Sequence, residues 1–397
     1  MGLRWGAAAA GAVMDGLGLW IGNFCVAAAT IGCLFALIAA ALALRFGRRS
    51  VGPPTPQPSV TILKPLCGRE PDLFARLLAF AHQQYDGPVQ IVLGTQDRAD
   101  PAIDVVKGLQ AARPDLAIDL VVDPRAWGTN RKVSNLINMS AQARNDVIVL
   151  SDSDIEVEPT YLADVVAELQ KPGVGAVTCL YHGIGGAGLW SRLSAMSINN
   201  YFLPNVVVAR SLGLAQPCFG ATIALRRETL EEIGGFQAFA DCLADDYAVG
   251  EAVRATGVDV TIPSFSVGHV CFERSPSELL RHQMRQSRTI RSIDPVGYAG
   301  ATITHPFALA LIGALLGNPL GLLIAAIAVV CRTVQTMAVE HAFGLPRQQY
   351  WLVPFRDLMA FTTFVSGFFG TTVSWRGSRY RVLSDGSVVQ ESNLNIG

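Results

Sequence analysis

The sequence has no surplus of charge of either sign: 31 Lys and Arg stand against 32 Asp and Glu, a formal net charge of −1. That excludes the basic field a nucleic-acid partner requires. It also lacks paired cysteine motifs. Its eight cysteines, at 25, 33, 67, 179, 218, 242, 271 and 331, form no C-x-x-C pair, and no histidine cluster has zinc spacing. A zinc or dithiol centre is therefore not expected, and the cysteines read as reduced packing residues of a cytoplasmic domain. No internal repeat is visible. What the chain does have is apolar residues: 50% of its 397 residues are hydrophobic, with mean hydropathy +0.34. That length allows two ordinary domains, and that hydropathy calls for membrane spans.

Residues 20–44 are an uncharged Ala/Leu/Ile-rich run, long enough to cross a bilayer, and Arg45, Arg48 and Arg49 come directly after it. A cleaved signal peptide would have a shorter apolar region with the basic residues ahead of it, so a retained anchor is expected. The basic cluster then puts the chain beyond residue 49 in the cytoplasm. Residues 51–59 hold four prolines and read as a linker.

From residue 60, strand-like runs at 60–63, 89–94, 118–122, 147–150 and 174–180 alternate with helical patterns at 71–82, 101–112, 133–143 and 160–169. Asp100 before Pro101 is a plausible helix N-cap with proline at the first position. Strand and helix in alternation give an α/β fold with a mostly parallel, Rossmann-like sheet covered on both faces.

The stretch VIVLSDSDIEV, 147–157, holds the strongest local signal in the chain. A buried-type strand ends abruptly in Asp152-Ser153-Asp154, which places two carboxylates at the C-terminal edge of a sheet. Ligands of open α/β sheets bind there, and hard divalent cations take oxygen ligands. A lone D-x-D fits a solvated acid pair at a strand end equally well.

Residues 182–216 break the rhythm. They open with His182-Gly183-Ile184-Gly185-Gly186 and continue with Leu189, Trp190, Leu193, Met196, Tyr201, Phe202 and Leu203 among few charges. Two readings stay open: a buried insert, or a membrane-surface slot in which Trp190 and Tyr201 meet an apolar acceptor. After a strand at 222–225, Ala244-Asp245-Asp246-Tyr247 opens a helix to residue 255. Asp245 is the natural cap there, leaving Asp246 for chemistry. A helix at 275–291, with Ser277 as N-cap, puts Arg281, Arg285 and Arg288 on one face, which fits an anionic ligand. Residues 303–330 are one long kinked span or two half-spans, interrupted at Gly317-Asn318-Pro319. Residues 352–373 are a second C-terminal candidate despite Arg356 and Asp357. Arg376, Arg379 and Arg381 favour a cytoplasmic tail, hence two crossings after the soluble domain.

The stretches ILKPLCGREP, DPAID, NRKVSNLIN, VLSDSDIEV, FGATIALRRETLEEIGGF, LADDY and SWRGSRYRV cover nearly all of 60–382. Together they resemble the family 2 and family 21 glycosyltransferases, most closely the ceramide glucosyltransferase family and its bacterial hopanoid-associated branch. The resemblance implies a GT-A-type fold with one N-terminal and about two C-terminal transmembrane helices. It implies a UDP-sugar donor, a lipid acceptor, either a hopanoid or a ceramide, and Mg2+ or Mn2+. On the family's pattern Asp97, Asp152 and Arg285 would bind donor, Asp152 and Asp154 the metal, and Asp246 would be the catalytic base; independently of the family, Lys132 in the NRKVSNL stretch is placed to bind nucleotide or phosphate oxygens of the donor. The family's (Q/R)-x-x-R-W element falls on His282-Gln283-Met284-Arg285-Gln286, which keeps the arginine and lacks the tryptophan.

The expected parts are an anchor at 1–50, the linker, a catalytic domain at 60–274, a basic interfacial helix at 275–300, membrane helices at 301–375 and a tail at 376–397. The expected location is the bacterial inner membrane. The HGIGGAGLWSRL and FLPNVVVARSLG stretches favour N-acetylglucosamine transfer to a polyhydroxylated hopanoid; ceramide glucosylation is the alternative. A polysaccharide synthase would need more spans and a complete final element, and a non-catalytic scaffold would not need all three acidic sites.

Overall fold

A computed structural model describes residues 2–46, 57–68, 70–186, 188–214, 216–370, 372–375, 378–382 and 388–390. Arg48, Arg49, Arg376, the linker as far as residue 56 and most of 383–397 lie outside the described residues. The chain forms two compact units, one of residues 47–198, 213–281 and 371–397, the other of 1–46, 199–212 and 282–370. The expected continuous catalytic domain is therefore interrupted: 199–212 cluster with the membrane helices.

The first unit is built on strands β1 (Val60–Pro65), β2 (Val89–Thr95), β3 (Ala117–Val122), β4 (Val147–Leu150), β5 (Ile155–Glu156), β6 (Val174–Thr178), β7 (Leu180–Gly185), β8 (Ile223–Arg226), β9 (Asp259–Thr261) and β10 (Ser266–Cys271). A seven-stranded sheet runs in the order β3-β2-β1-β4-β8-β6-β9. It is mostly parallel; only β8 runs against its neighbours β4 and β6. Side-chain alternation explains why helices cover both faces. Val60, Ile62, Ile91, Leu93, Val147 and Val149 enter one core, and Leu63, Val92, Ile148 and Leu150 the other.

The strand expected at 174–180 breaks at Cys179. Its continuation β7 leaves the main sheet and pairs with β10 in a second sheet of order β5-β10-β7. The glycines of 182–186 are thus partly strand, and they admit close packing. A Cβ on Gly183 would lie 2.5 Å from Ala195 Cα of the following helix, Leu189–Ser197.

In the second unit the helix Gly2–Phe46 includes a 31-residue stretch, Gly16–Phe46, long and apolar enough to span a membrane. Gly321–Phe343 is the other such helix, and the bent pair Pro295–Thr304 and Pro306–Leu315 can act as one further span. Residues 303–330 are therefore not one kinked span. Gly317 at φ +87° turns the chain between Pro306–Leu315 and Gly321–Phe343. The helix expected at 352–373 is shorter, Val353–Gly367 with 15 residues, less than the roughly 20 a span needs.

Candidate active site

Four of the expected residues meet at the carboxyl edge of the main sheet, and burial of their charges dictates how. The helix Arg131–Ser140 starts on Asn130, whose Oδ1 accepts the N–H groups of Lys132 and Val133. That cap aims Lys132 inward. Its Nζ lies 2.8 Å from Asp152 Oδ1 and 3.3 Å from Asp245 Oδ2. Burial works against the ammonium, but the carboxylates of Asp152, Asp245 and Asp246 outweigh it and hold its pKa above the ordinary lysine value. Burial also raises the Asp152 pKa, with Lys132 opposing.

Asp245 is not the helix cap expected of it. The helix Asp245–Ala255 has no side-chain cap, and Asp245 is instead a buried ion partner that also accepts from Asn130 Nδ2 at 3.2 Å. Asp246 points elsewhere, accepting the backbone N–H of Gly220 at 3.0 Å and of Tyr247 at 2.8 Å. Burial first, then the adjacent Asp245 carboxylate, raise its pKa to about 6.

Asp154 faces a residue that sequence reasoning missed. His269 Nε2 on β10 is 3.6 Å from Asp154 Oδ2, and its buried Nδ1 has no hydrogen-bond partner among the described residues. Burial opposes the imidazolium, yet Asp154 outweighs it and lifts the pKa to about 10. The β10–β5 pairing sets this contact, since His269 stands opposite Ile155 and Val270 N–H donates to Asp154 O. The alternating pattern of SVGHVC was the available signal.

Lys64 was also missed, although it lies in the ILKPLCGREP stretch. Fully buried over the Phe80 ring, it donates to Asp152 O at 2.7 Å and Ser151 Oγ at 3.3 Å. Burial brings its pKa down to about 7 against the pull of Asp154 and Asp152. Gly220 lies against this pair: a Cβ there would stand 2.9 Å from Lys132 Nζ and 3.0 Å from Asp152 Oδ2, so a side chain would have to push the two charged ends aside.

The other expected residues lie apart. Asp97 is exposed after β2 and accepts from Ala99 N–H, while Asp100 is buried and holds Gly68, Thr95 and Ala102. Trp190 is half-buried on the helix Leu189–Ser197. Tyr201 and Arg285 belong to the other unit. Tyr201 is buried there, with its hydroxyl donating to Asp357 Oδ1. Arg285 is half-buried on the helix Pro276–Ile293, whose first turn is capped by Ser275 Oγ on Glu278 N–H rather than by Ser277.

Comparison with known proteins gives this edge a context. Ceramide glucosyltransferase 1 of Caenorhabditis elegans is 24% identical over 213 residues, covering 53% of this chain and 45% of the relative. A ceramide glucosyltransferase of Gibberella zeae is 27% identical over 177 residues, covering 40% of this chain and 34% of the relative. The chain thus spans less than half the length of these relatives. Among solved structures, a mannosyltransferase from Pyrobaculum calidifontis, in complex with GDP-Man and Mn2+, superposes with a TM-score of 0.52 at 22% identity, over 88% of this chain and 99% of the other. That likeness bears on the fold. The profile of glycosyl transferase family 21 matches residues 28–388, and the chain belongs to that family.

Proposed function

We propose that this chain is a membrane-bound, inverting glycosyltransferase that moves a sugar from a UDP-sugar to a hydroxyl of a lipid acceptor. The observation that carries the reading is the meeting of Lys132, Asp152 and Asp245 beside a separately held Asp246. Asp246 is the general base. With a pKa near 6 it is ionised at neutral pH and still basic enough to take the acceptor proton. Its two oxygens have lone pairs left after two backbone contacts. Attack from its side gives single displacement and inversion.

Asp154 would hold a divalent cation, joined by His269 only as the neutral imidazole, while Asp152, expected as a second ligand, is engaged by Lys132 at 2.8 Å. What supports this is the Asp154 carboxylate facing the His269 ring at 3.6 Å, both partly accessible, with cation binding there displacing the ring proton that Asp154 now favours. No group of three metal-ligating side chains exists among the described residues, so the donor diphosphate would complete the coordination. Mg2+ or Mn2+ there would neutralise charge on the departing diphosphate. Lys132 would contribute fixed positive charge, and Asp152 holds Lys132 in place. Asp97 and Arg285 are proposed donor contacts and Trp190 an acceptor contact. Tyr201 is left out of the acceptor set because its ring is buried and its hydroxyl is bonded to Asp357.

As acceptor we favour a polyhydroxylated hopanoid receiving N-acetylglucosamine, on the HGIGGAGLWSRL and FLPNVVVARSLG stretches. Ceramide receiving glucose is the second reading, supported by the ceramide glucosyltransferases among the relatives. The proposed location is a bacterial inner membrane with the catalytic unit cytoplasmic. The deciding assay presents radiolabelled UDP-N-acetylglucosamine or UDP-glucose with hopanoid or ceramide vesicles, with and without chelator. Metal-dependent label in the lipid phase is expected with one pair. Polymer, or no transfer with any pair, would overturn the reading, and undiminished transfer in chelator would remove the metal from it.

A further inference from the structure

Inside the helical unit lies a buried ionic cluster that the transfer reading does not use. Arg332 and Arg356 are each 1% exposed and Asp357 is 2% exposed. From the sequence two readings of Arg356 and Asp357 are open, a place at the membrane interface or a pair with each other. Instead Arg332 Nε lies 3.5 Å from Asp357 Oδ1, and Arg332 stacks over the Tyr201 ring at 4.4 Å. Arg356 sits by that same ring at 5.8 Å, and its Nε and Nη1 have no hydrogen-bond partner among the described residues. Around them, Asp357 Oδ2, both amide atoms of Asn200 and His305 Nδ1 are also buried and unpartnered among the described residues.

Two features define what is missing. Guanidinium groups do not lose their proton, so two arginines against one carboxylate leave one positive charge uncompensated among apolar helices. The next buried carboxylate on the Arg332 helix, Glu340, is taken by Gln348 N–H and the Tyr350 hydroxyl. Water can satisfy donors but cannot neutralise that charge, and a buried unpaired charge is strongly destabilising. Meanwhile Asp357 Oδ2 and Asn200 Oδ1 are acceptors in need of a donor.

We propose that this cluster is a binding site for a monovalent oxyanion that carries hydroxyl groups. Its anionic oxygens accept from Arg356 and Asn200 Nδ2, while its hydroxyls donate to Asp357 Oδ2 and Asn200 Oδ1. Two sources share this chemistry: the phosphate-glycerol headgroup of an anionic phospholipid, and the dihydrogen phosphate ion. The site is independent of the transfer reading, because its test reads binding rather than turnover.

The full-length protein, purified in neutral detergent, is titrated with phosphatidylglycerol, inorganic phosphate or phosphatidylcholine, and its Tm is followed. Phosphatidylglycerol or phosphate should raise Tm by about 2–4 °C at saturation, and phosphatidylcholine should not. The arm that responds identifies the source. Arg356→Met should abolish the ligand-dependent shift and leave the ligand-free protein at least as stable, because the unpaired charge is gone. The titrations of the unsubstituted protein decide the matter even if that variant fails to fold. No response to either oxyanion, or an equal response to phosphatidylcholine, would mean that water alone fills the cluster and would overturn the proposal.

Discussion

Asp245 and Asp246 are neighbours in the chain with different partners, because consecutive side chains at a helix start diverge by about 100°. Asp245 turns to Lys132 and Asn130, Asp246 to the Gly220 amide. Asp246→Asn should lower turnover by about two to four orders of magnitude with donor affinity nearly unchanged. For the unsubstituted enzyme, kcat/KM should rise with pH through an acidic limb near 6, where Asp246 loses its proton. The Asp245 carboxylate raises that pKa, so Asp245→Asn should move the limb to lower pH. It should also cost about 1–3 kcal/mol of stability, since it leaves Lys132 with one ionic partner fewer. Single-turnover transfer against pH, with urea unfolding of each variant, reads all of this; a limb that stays put in Asp245→Asn removes Asp246 from its assignment. The sequence located both acids, but a cap and a buried ion partner look alike in one dimension. What distinguishes them is Lys132, 113 positions earlier in the chain.

Among the elements, those with strong local periodicity were legible and those defined by pairing were not. Strands β1 to β4 and the helices between them match the expected alternation within a few residues. The break at Cys179 was hidden because 174–180 is a continuous apolar-leaning run, and only the partners β8 and β10 divide it. His269 was hidden for the same reason. Helix contacts in the second unit carry a test of their own. A Cβ on Gly32 would lie 2.2 Å from Ile303 O, a backbone atom, whereas one on Gly18 of the same helix would meet nothing within 4 Å. Gly→Ala within a helix is favourable by up to about 1 kcal/mol, while forcing a clash on a packed interface costs about 1–3 kcal/mol. Gly18→Ala should therefore hold or raise Tm in detergent and Gly32→Ala should lower it. Equal shifts of the two variants would show that residue 303 does not press on this helix.

For the whole molecule, the sequence supplied the membrane runs but not their direction, which is fixed by which ends meet. Asn318 Nδ2 donates to Asn23 Oδ1, and Gly22 lies against Gly313 and Leu316, so the turn at 317–319 sits at the N-terminal end of the span Gly16–Phe46. Phe46 and Phe343 rings are 5.9 Å apart, so Gly321–Phe343 runs parallel to that first span and ends beside its C-terminal end. Between Phe46 and the turn an odd number of crossings is then required, and the bent pair Pro295–Thr304 and Pro306–Leu315 is the candidate for one. On that reading Gly321–Phe343 returns it, which makes two crossings after residue 281 the topology to test, with Val353–Gly367 too short to add a third. Arg45 sits at the end shared by Phe46 and Phe343, and the proposed orientation, on the positive-inside bias, has that end in the cytoplasm. Alkaline phosphatase fused after Asn318 should accordingly be active, since that enzyme matures only outside the cytoplasm, and green fluorescent protein fused after Gly344 should fluoresce. The opposite pattern would put the catalytic unit outside, away from any cytosolic nucleotide sugar. Activity of the phosphatase at both positions would instead mean that Gly321–Phe343 does not cross at all.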